Sequence, residues 1–121
     1  MDEEVVKALR TDRIIDITTV GRKTGQPRRI EIGLVALKDS FFLSGRPGRP
    51  RSWYANLRAH PDFTVHLKRS LQRDLPTRAT PITDPAERRA IFTAMVQEAQ
   101  REDVNIEERL AGSPLVRLEF L

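Results

Sequence analysis

The chain has 121 residues, of which 39% are hydrophobic and 31% charged, and it has no cysteine; this composition fits one globular domain over residues 1–121 and excludes disulfides, thiolate metal sites and cysteine nucleophiles. No apolar run approaches the roughly 20 residues of a membrane-spanning helix, and the acidic start Met1-Asp2-Glu3-Glu4 is unlike a secretory leader, so a cytoplasmic location is expected. The net charge of +4 is uneven: residues 22–78 hold 13 Lys and Arg against 4 Asp and Glu, while both flanks are net negative, so the middle either concentrates anions or is merely a solvated surface.

Val5, Val6 and Leu9 recur at helical spacing and predict a short N-terminal helix over Glu3–Arg10, within residues 1–12, as a lid or packing element. Ile14–Val20 is β-branched at nearly every position and predicts a strand that ends at Gly21. The turn-rich loop Gly21–Pro27 carries Arg22 and Lys23 at its tip. Arg28–Leu37 predicts a strand running from an exposed end into a buried middle, and Lys38-Asp39-Ser40 turns the chain back into a return strand, Phe41–Ser44. A second Gly/Pro/Arg loop, Gly45–Pro50, leads to a short helix over Arg51–His60 that Pro61 stops, with Trp53, Leu57 and Tyr54 as its apolar face.

Phe63, Val65 and Leu67 alternate with polar residues in a half-buried strand. Arg73–Thr83 continues as another, where Pro76 and Pro81 favour an edge position or bulges. Asp84 as N-cap and Pro85 at the first helical position open a late helix, residues 84–100, with Ile91, Ala94, Met95 and Ala99 on one stripe. Leu115–Leu121 closes the chain as a last strand. Five or six strands with hairpin-length connections, one short inserted helix and one longer late helix predict a mainly β architecture, an antiparallel barrel rather than a parallel sheet.

Few residues suggest chemistry of their own. His60 and His66 have no carboxylates at ligand spacing and read as a helix-end and a strand-surface residue, so no metal site is expected. Serine-hydrolase elbows, Walker loops and dinucleotide fingerprints are absent. A reaction carried by a bound cofactor remains compatible, because the protein then has only to hold, orient and desolvate. The Gly21–Pro27 and Ser44–Arg51 loops offer backbone N–H groups beside cations, a combination that binds phosphate or carboxylate. In a hairpin from Arg28 to Ser44 the two loops would lie side by side and face one ligand; the competing reading is that both are plain turns.

Taken in order, Thr18-Thr19-Val20-Gly21-Arg22-Lys23-Thr24-Gly25-Gln26-Pro27-Arg28, Ser44-Gly45 and Trp53-Tyr54-Ala55-Asn56-Leu57-Arg58-Ala59-His60-Pro61-Asp62 resemble the deazaflavin-dependent nitroreductase and quinone reductase family. The likeness runs from about Ile14 to Lys68 and continues more faintly to the last strand. It implies an α+β split β-barrel of the FMN-binding, pyridoxamine phosphate oxidase-like kind, and coenzyme F420 (8-hydroxy-5-deazaflavin), whose tail carries a phosphate and glutamates. It also implies hydride transfer to a quinone, nitro or enone acceptor. By the family pattern Arg22, Lys23, Thr24, Gly25 and Arg28 hold the tail, Ser44 and Gly45 flank the ring, and Trp53 and Asn56 pack against the site. The chain lacks the late tyrosines of the best-known branch, so the catalytic proton donor stays open among Ser44, Tyr54 and solvent. FMN is the alternative cofactor. The expected partner is a small-molecule electron acceptor, with homodimerisation and peripheral attachment at the inner membrane face as further options; a nucleic-acid-binding role ranks well below, because the aromatic residues read as core.

Overall fold

A computed structural model describes residues 1–38, 40–49, 51–99 and 105–121, with backbone only at 99. The elements in chain order are α1 (Glu3–Thr11), β1 (Ile14–Val20), β2 (Pro27–Leu37), β3 (Ser40–Ser44), α2 (Ser52–Ala59), β4 (Asp62–Lys68), β5 (Gln72–Pro81), α3 (Pro85–Ala99), α4 (Ile106–Gly112) and β6 (Leu115–Phe120). The six strands are antiparallel and close into a barrel in the order β1-β2-β3-β6-β5-β4. Alternation decides what fills it: Ile15, Ile17 and Thr19 of β1 and Phe63, Val65 and Leu67 of β4 are buried, most of them completely. Fully burying each large aliphatic side chain contributes roughly 1.5–3 kcal/mol. Asp2 caps α1 by accepting the Val5 N–H at 3.0 Å, and Val5, Ala8 and Leu9 join the barrel core, so α1 is a packing element.

The β2–β3 hairpin is unequal. Leu37 pairs with Ser40 and Leu34 with Leu43, and Lys38 has a φ of 50° of the kind that tight hairpin connections favour. Counting on, Ser44 comes opposite Gly33, and β2 runs about six residues farther. Arg28 is therefore displaced from Ser44 by five residues, roughly 17 Å along the strand. The expectation that the two loops meet at the hairpin's end is thus corrected. It follows too that β2 is exposed through its first half and buried toward its end, and that Ile30, at 36% exposure, stands at the open rim of the barrel.

β5 is neither an edge nor bulged, contrary to what its prolines suggest, since it pairs in unbroken register with both β4 and β6. Pro76 is accommodated because its missing N–H faces the side where β6 ends: the Leu121 N–H donates to the Pro76 carbonyl at 2.9 Å, and only the return bond is lost. Pro81 is the last residue of β5 and lies beyond the start of β4.

A second core lies between the sheet and the late helices, with Phe92 wholly buried among Leu37, Phe42, Ile82 and Leu115. Phe92 is absent from the predicted α3 stripe, of which Ile91, Ala94 and Met95 pack here partly buried; the Ala99 side chain and Gln100 lie outside the described residues. Asp84 caps α3 as expected, accepting the Glu87 N–H at 2.9 Å. Helix α4 is not foreseen. Asn105 caps it by accepting from the Glu108 N–H at 3.1 Å, and the Arg88 guanidinium donates to the carbonyls of Arg109, Leu110 and Ser113 at its end.

Candidate cofactor site

Residues Gly21–Gly25 form one helical turn between β1 and β2. The Gly25 N–H donates to the Gly21 carbonyl and the Gly21 N–H to the Gln26 carbonyl, both at 2.8 Å. Gly25 supplies the left-handed φ of 70° that closes the turn. Gly21 is required by space: a Cβ there would sit 2.6 Å from Thr24 Oγ1, and that hydroxyl accepts the Gln26 N–H at 3.2 Å. The Arg22 N–H is taken by Asn56 Oδ1 at 3.0 Å. Among the described residues the Lys23 and Thr24 N–H groups have no protein acceptor, and successive free N–H groups in such a turn make an anion-binding concavity.

Asn56 holds this loop in place from α2. Its Nδ2 donates to Thr19 Oγ1 at 3.1 Å, and Asn56 and Thr19 are only 7% and 1% exposed. Because α2 packs against β1 and β5, it brings Ser52, Trp53 and Asn56 over the open rim where Arg28 and Ile30 project. Together with Thr19, Gly21, Arg22, Lys23 and Thr24 they line a hollow of about 480 Å³. The side chains of Arg22, Lys23 and Arg28 make no ion pair among the described residues, so three uncompensated cations converge on it. Thr19, Ile30 and Ser52 were not foreseen as lining residues, because only the docking of α2 reveals them.

Ser44 and Gly45 border a different hollow, about 610 Å³, between β2, α3 and the end of α1. The Ser44 hydroxyl donates to the Pro114 carbonyl at 2.7 Å. Trp53 lines the first hollow, and its Cζ2 lies 3.8 Å from where a Cβ of Gly45, a residue of the second, would be. Tyr54 borders neither. It is partly buried, edge-on to Trp53 at 6.0 Å, with the Arg58 guanidinium 5.8 Å from its ring centre.

His66 departs from the surface role expected of it. It is 8% exposed, with Nδ1 2.6 Å from Asp74 Oδ1 and Nε2 2.7 Å from Thr18 Oγ1. The carboxylate partner comes from β5 through strand pairing, which local spacing does not reveal. A carboxylate only accepts, so Nδ1 carries a proton toward Asp74, and in the neutral ring Nε2 accepts from Thr18. None of the three borders either hollow. On the same outer face Lys68 bridges Asp16, at 2.7 Å, and Glu31. The Lys68 hydrogen bond, with help from Arg29, holds the Asp16 carboxyl below the usual carboxylate range against a partial desolvation penalty. Among the described residues no cluster of His, Asp and Glu could hold a metal ion, and no helix is long and apolar enough to cross a membrane.

A family model described as F420H2-dependent quinone reductase matches residues 1–117. Among solved structures, a FAD-binding protein from Mesorhizobium loti is similar at a TM-score of 0.72 and 15% identity, over 100% of this chain and 91% of that one. An F420-H2 dependent reductase is similar at 0.62 and 23%, over 88% and 94%. The heme storage protein HutZ from Vibrio cholerae is similar at 0.67 and 17%, over 98% and 89%. At these identities the likeness establishes the split-barrel fold. No curated protein matches the chain.

Proposed function

Since the chain belongs to the F420H2-dependent quinone reductase family, and is thereby an oxidoreductase that uses coenzyme F420, we propose that it reduces a quinone, nitro or enone acceptor with the coenzyme's tail held in the 480 Å³ hollow. The observation that carries this reading is the convergence of Arg22, Lys23 and Arg28, unpaired among the described residues, on free N–H groups of a glycine-closed turn. A phosphate and carboxylate tail suits that donor set: arginine offers a planar fork to each oxyanion, and lysine a point charge.

When bound, the reduced deazaflavin supplies a hydride, which the acceptor takes up together with one proton. The protein's residues do the rest. Asn56 fixes the loop by holding the Arg22 N–H, leaving the Lys23 and Thr24 N–H groups to the anion. Trp53 lines the tail's hollow and reaches toward Gly45, so it packs beside the bound coenzyme. The Ser44 proton is engaged by the Pro114 carbonyl and Tyr54 borders neither hollow, so we assign the proton to solvent.

Fluorescence titration with the oxidised coenzyme tests the reading. Lys23→Glu and Arg28→Glu should each weaken binding at least about tenfold, since a charge-assisted hydrogen bond contributes roughly 1.5–3 kcal/mol, and added salt should weaken the wild type. Tight binding that survives both substitutions would refute the tail site. The likeness to a FAD-binding protein keeps FMN as a second reading, which a protein that purifies yellow and releases FMN on denaturation would favour.

A further inference from the structure

Gly33 lies within β2, where no turn calls for glycine. Its φ is not in the left-handed region, and a Cβ there would meet only the Arg13 carbonyl oxygen, at 3.8 Å. Neither backbone geometry nor crowding accounts for the missing side chain. An isolated glycine in a strand often marks close approach by a ligand, and Gly33 lines the 610 Å³ hollow. It pairs with Ile14 of β1 and comes opposite Ser44, so the floor there is bare backbone flanked by one apolar and one hydroxyl side chain. Phe92, Met95 and Val96 of α3 line the same hollow. A space between a bare sheet and an apolar helix face suits a flat, apolar body.

The charge around this hollow adds a second requirement. Four arginines line it against two carboxylates, Asp12 and Glu98. Asp12 Oδ2 already accepts from the Ser70 N–H at 2.9 Å and the Ser70 hydroxyl at 2.7 Å. The side chains of Arg13 and Arg46 make no hydrogen bond or ion pair among the described residues. A guanidinium fork matches carboxylate, sulfonate or phosphate.

We propose that this hollow is the acceptor site, and that it selects a planar apolar acceptor bearing one anionic group, with Gly33 as floor and Arg13 and Arg46 as the anion's ligands. The inference rests on the reductase reading, and the position of Ser44 and Gly45 on the same hollow would place such an acceptor beside the ring.

With reduced coenzyme F420, steady-state rates are compared for 1,4-naphthoquinone-2-sulfonate and neutral 1,4-naphthoquinone. The Arg13→Gln/Arg46→Gln double variant should lose about tenfold or more in kcat/KM for the sulfonate, since it forfeits a charge-assisted contact. It should stay within about twofold for the neutral quinone and keep the wild-type Kd for oxidised coenzyme. Gly33→Leu should raise KM for both quinones, with Gly33→Ala as the milder control. Equal loss for both quinones in the arginine variant, or weakened coenzyme binding, would overturn the assignment; the latter would give these arginines to the tail. If the wild type bound no coenzyme, the reductase reading itself would fail. The hollow would then be read with 1-anilinonaphthalene-8-sulfonate, whose binding should weaken in the arginine variant and disappear in Gly33→Leu, and equal binding to all forms would overturn the site.

Discussion

Asn56→Ala separates two roles that the family pattern leaves merged, contact with the cofactor and support of the loop that contacts it. The substitution removes two hydrogen bonds, from the Arg22 N–H at 3.0 Å and to Thr19 Oγ1 at 3.1 Å. Each is worth about 1 kcal/mol net, and the Thr19 hydroxyl, 1% exposed, cannot be rehydrated, which adds roughly 1–3 kcal/mol. The total is about 3–5 kcal/mol, or a fall of roughly 10–20 °C in Tm for a domain of this size. Because the released Arg22 N–H loosens the turn that presents Lys23 and Thr24, affinity for oxidised F420 should fall along with stability. Thr19→Val removes the Asn56 Nδ2 partner but keeps the bond from the Arg22 N–H, so it should lower Tm and weaken affinity less than Asn56→Ala does. Circular-dichroism melts and fluorescence titrations of both variants give the four numbers. A loss of affinity in Asn56→Ala with an unchanged Tm would mean that Asn56 touches the cofactor directly, and the positioning argument would be wrong.

Two other substitutions probe the frame. Arg88 donates to four carbonyls, those of Ile82, Arg109, Leu110 and Ser113, so Arg88→Met should cost about 3 kcal/mol, read from the urea midpoint, and a change under about 0.5 kcal/mol would show that solvent satisfies those carbonyls equally well. Asp16 has its folded-state pKa lowered, chiefly by the Lys68 hydrogen bond, so its contribution is complete above the unfolded carboxylate pKa and is lost as pH falls through the folded one; the drop in urea midpoint from pH 5 to pH 3 should shrink in Asp16→Asn, and an undiminished drop would assign acid sensitivity to other groups.

The barrel was legible because its strands obey a two-residue period: Ile15, Ile17 and Thr19, and Phe63, Val65 and Leu67, announce an inner face, and turns mark nearly every boundary. The offset of the hairpin was also present in the sequence, though an expectation that equated the two strand ends passed over it. The turn at Lys38 fixes Leu37 opposite Ser40, and counting four residues each way puts Ser44 opposite Gly33 rather than Arg28. Other features could not be read locally. The burial of His66 depends on Asp74 arriving across β4 and β5, and Pro76 is harmless only because β6 ends where it does. The seven residues of α4 form a helix held by Arg88 from α3, a tertiary contact that outweighs a weak local signal.

The two basic loops are each real features, but the barrel does not fuse them into one patch. Helix α2 docks over the open rim because Trp53 and Leu57 are buried there, and in doing so it places Trp53 in the lining of the first hollow. Arg22, Lys23 and Arg28 face one hollow; Arg46, together with Arg13 from outside the cationic segment, faces the other. The charge excess of residues 22–78 therefore measures no single affinity. On the proposed reading, a charged tail held at Arg28 would stand away from the reacting centre by the extra length of β2 beyond β3, so that its cations would not crowd the acceptor. The offset that separates the two strand ends would thus keep the tail's cations apart from the acceptor's anion ligands.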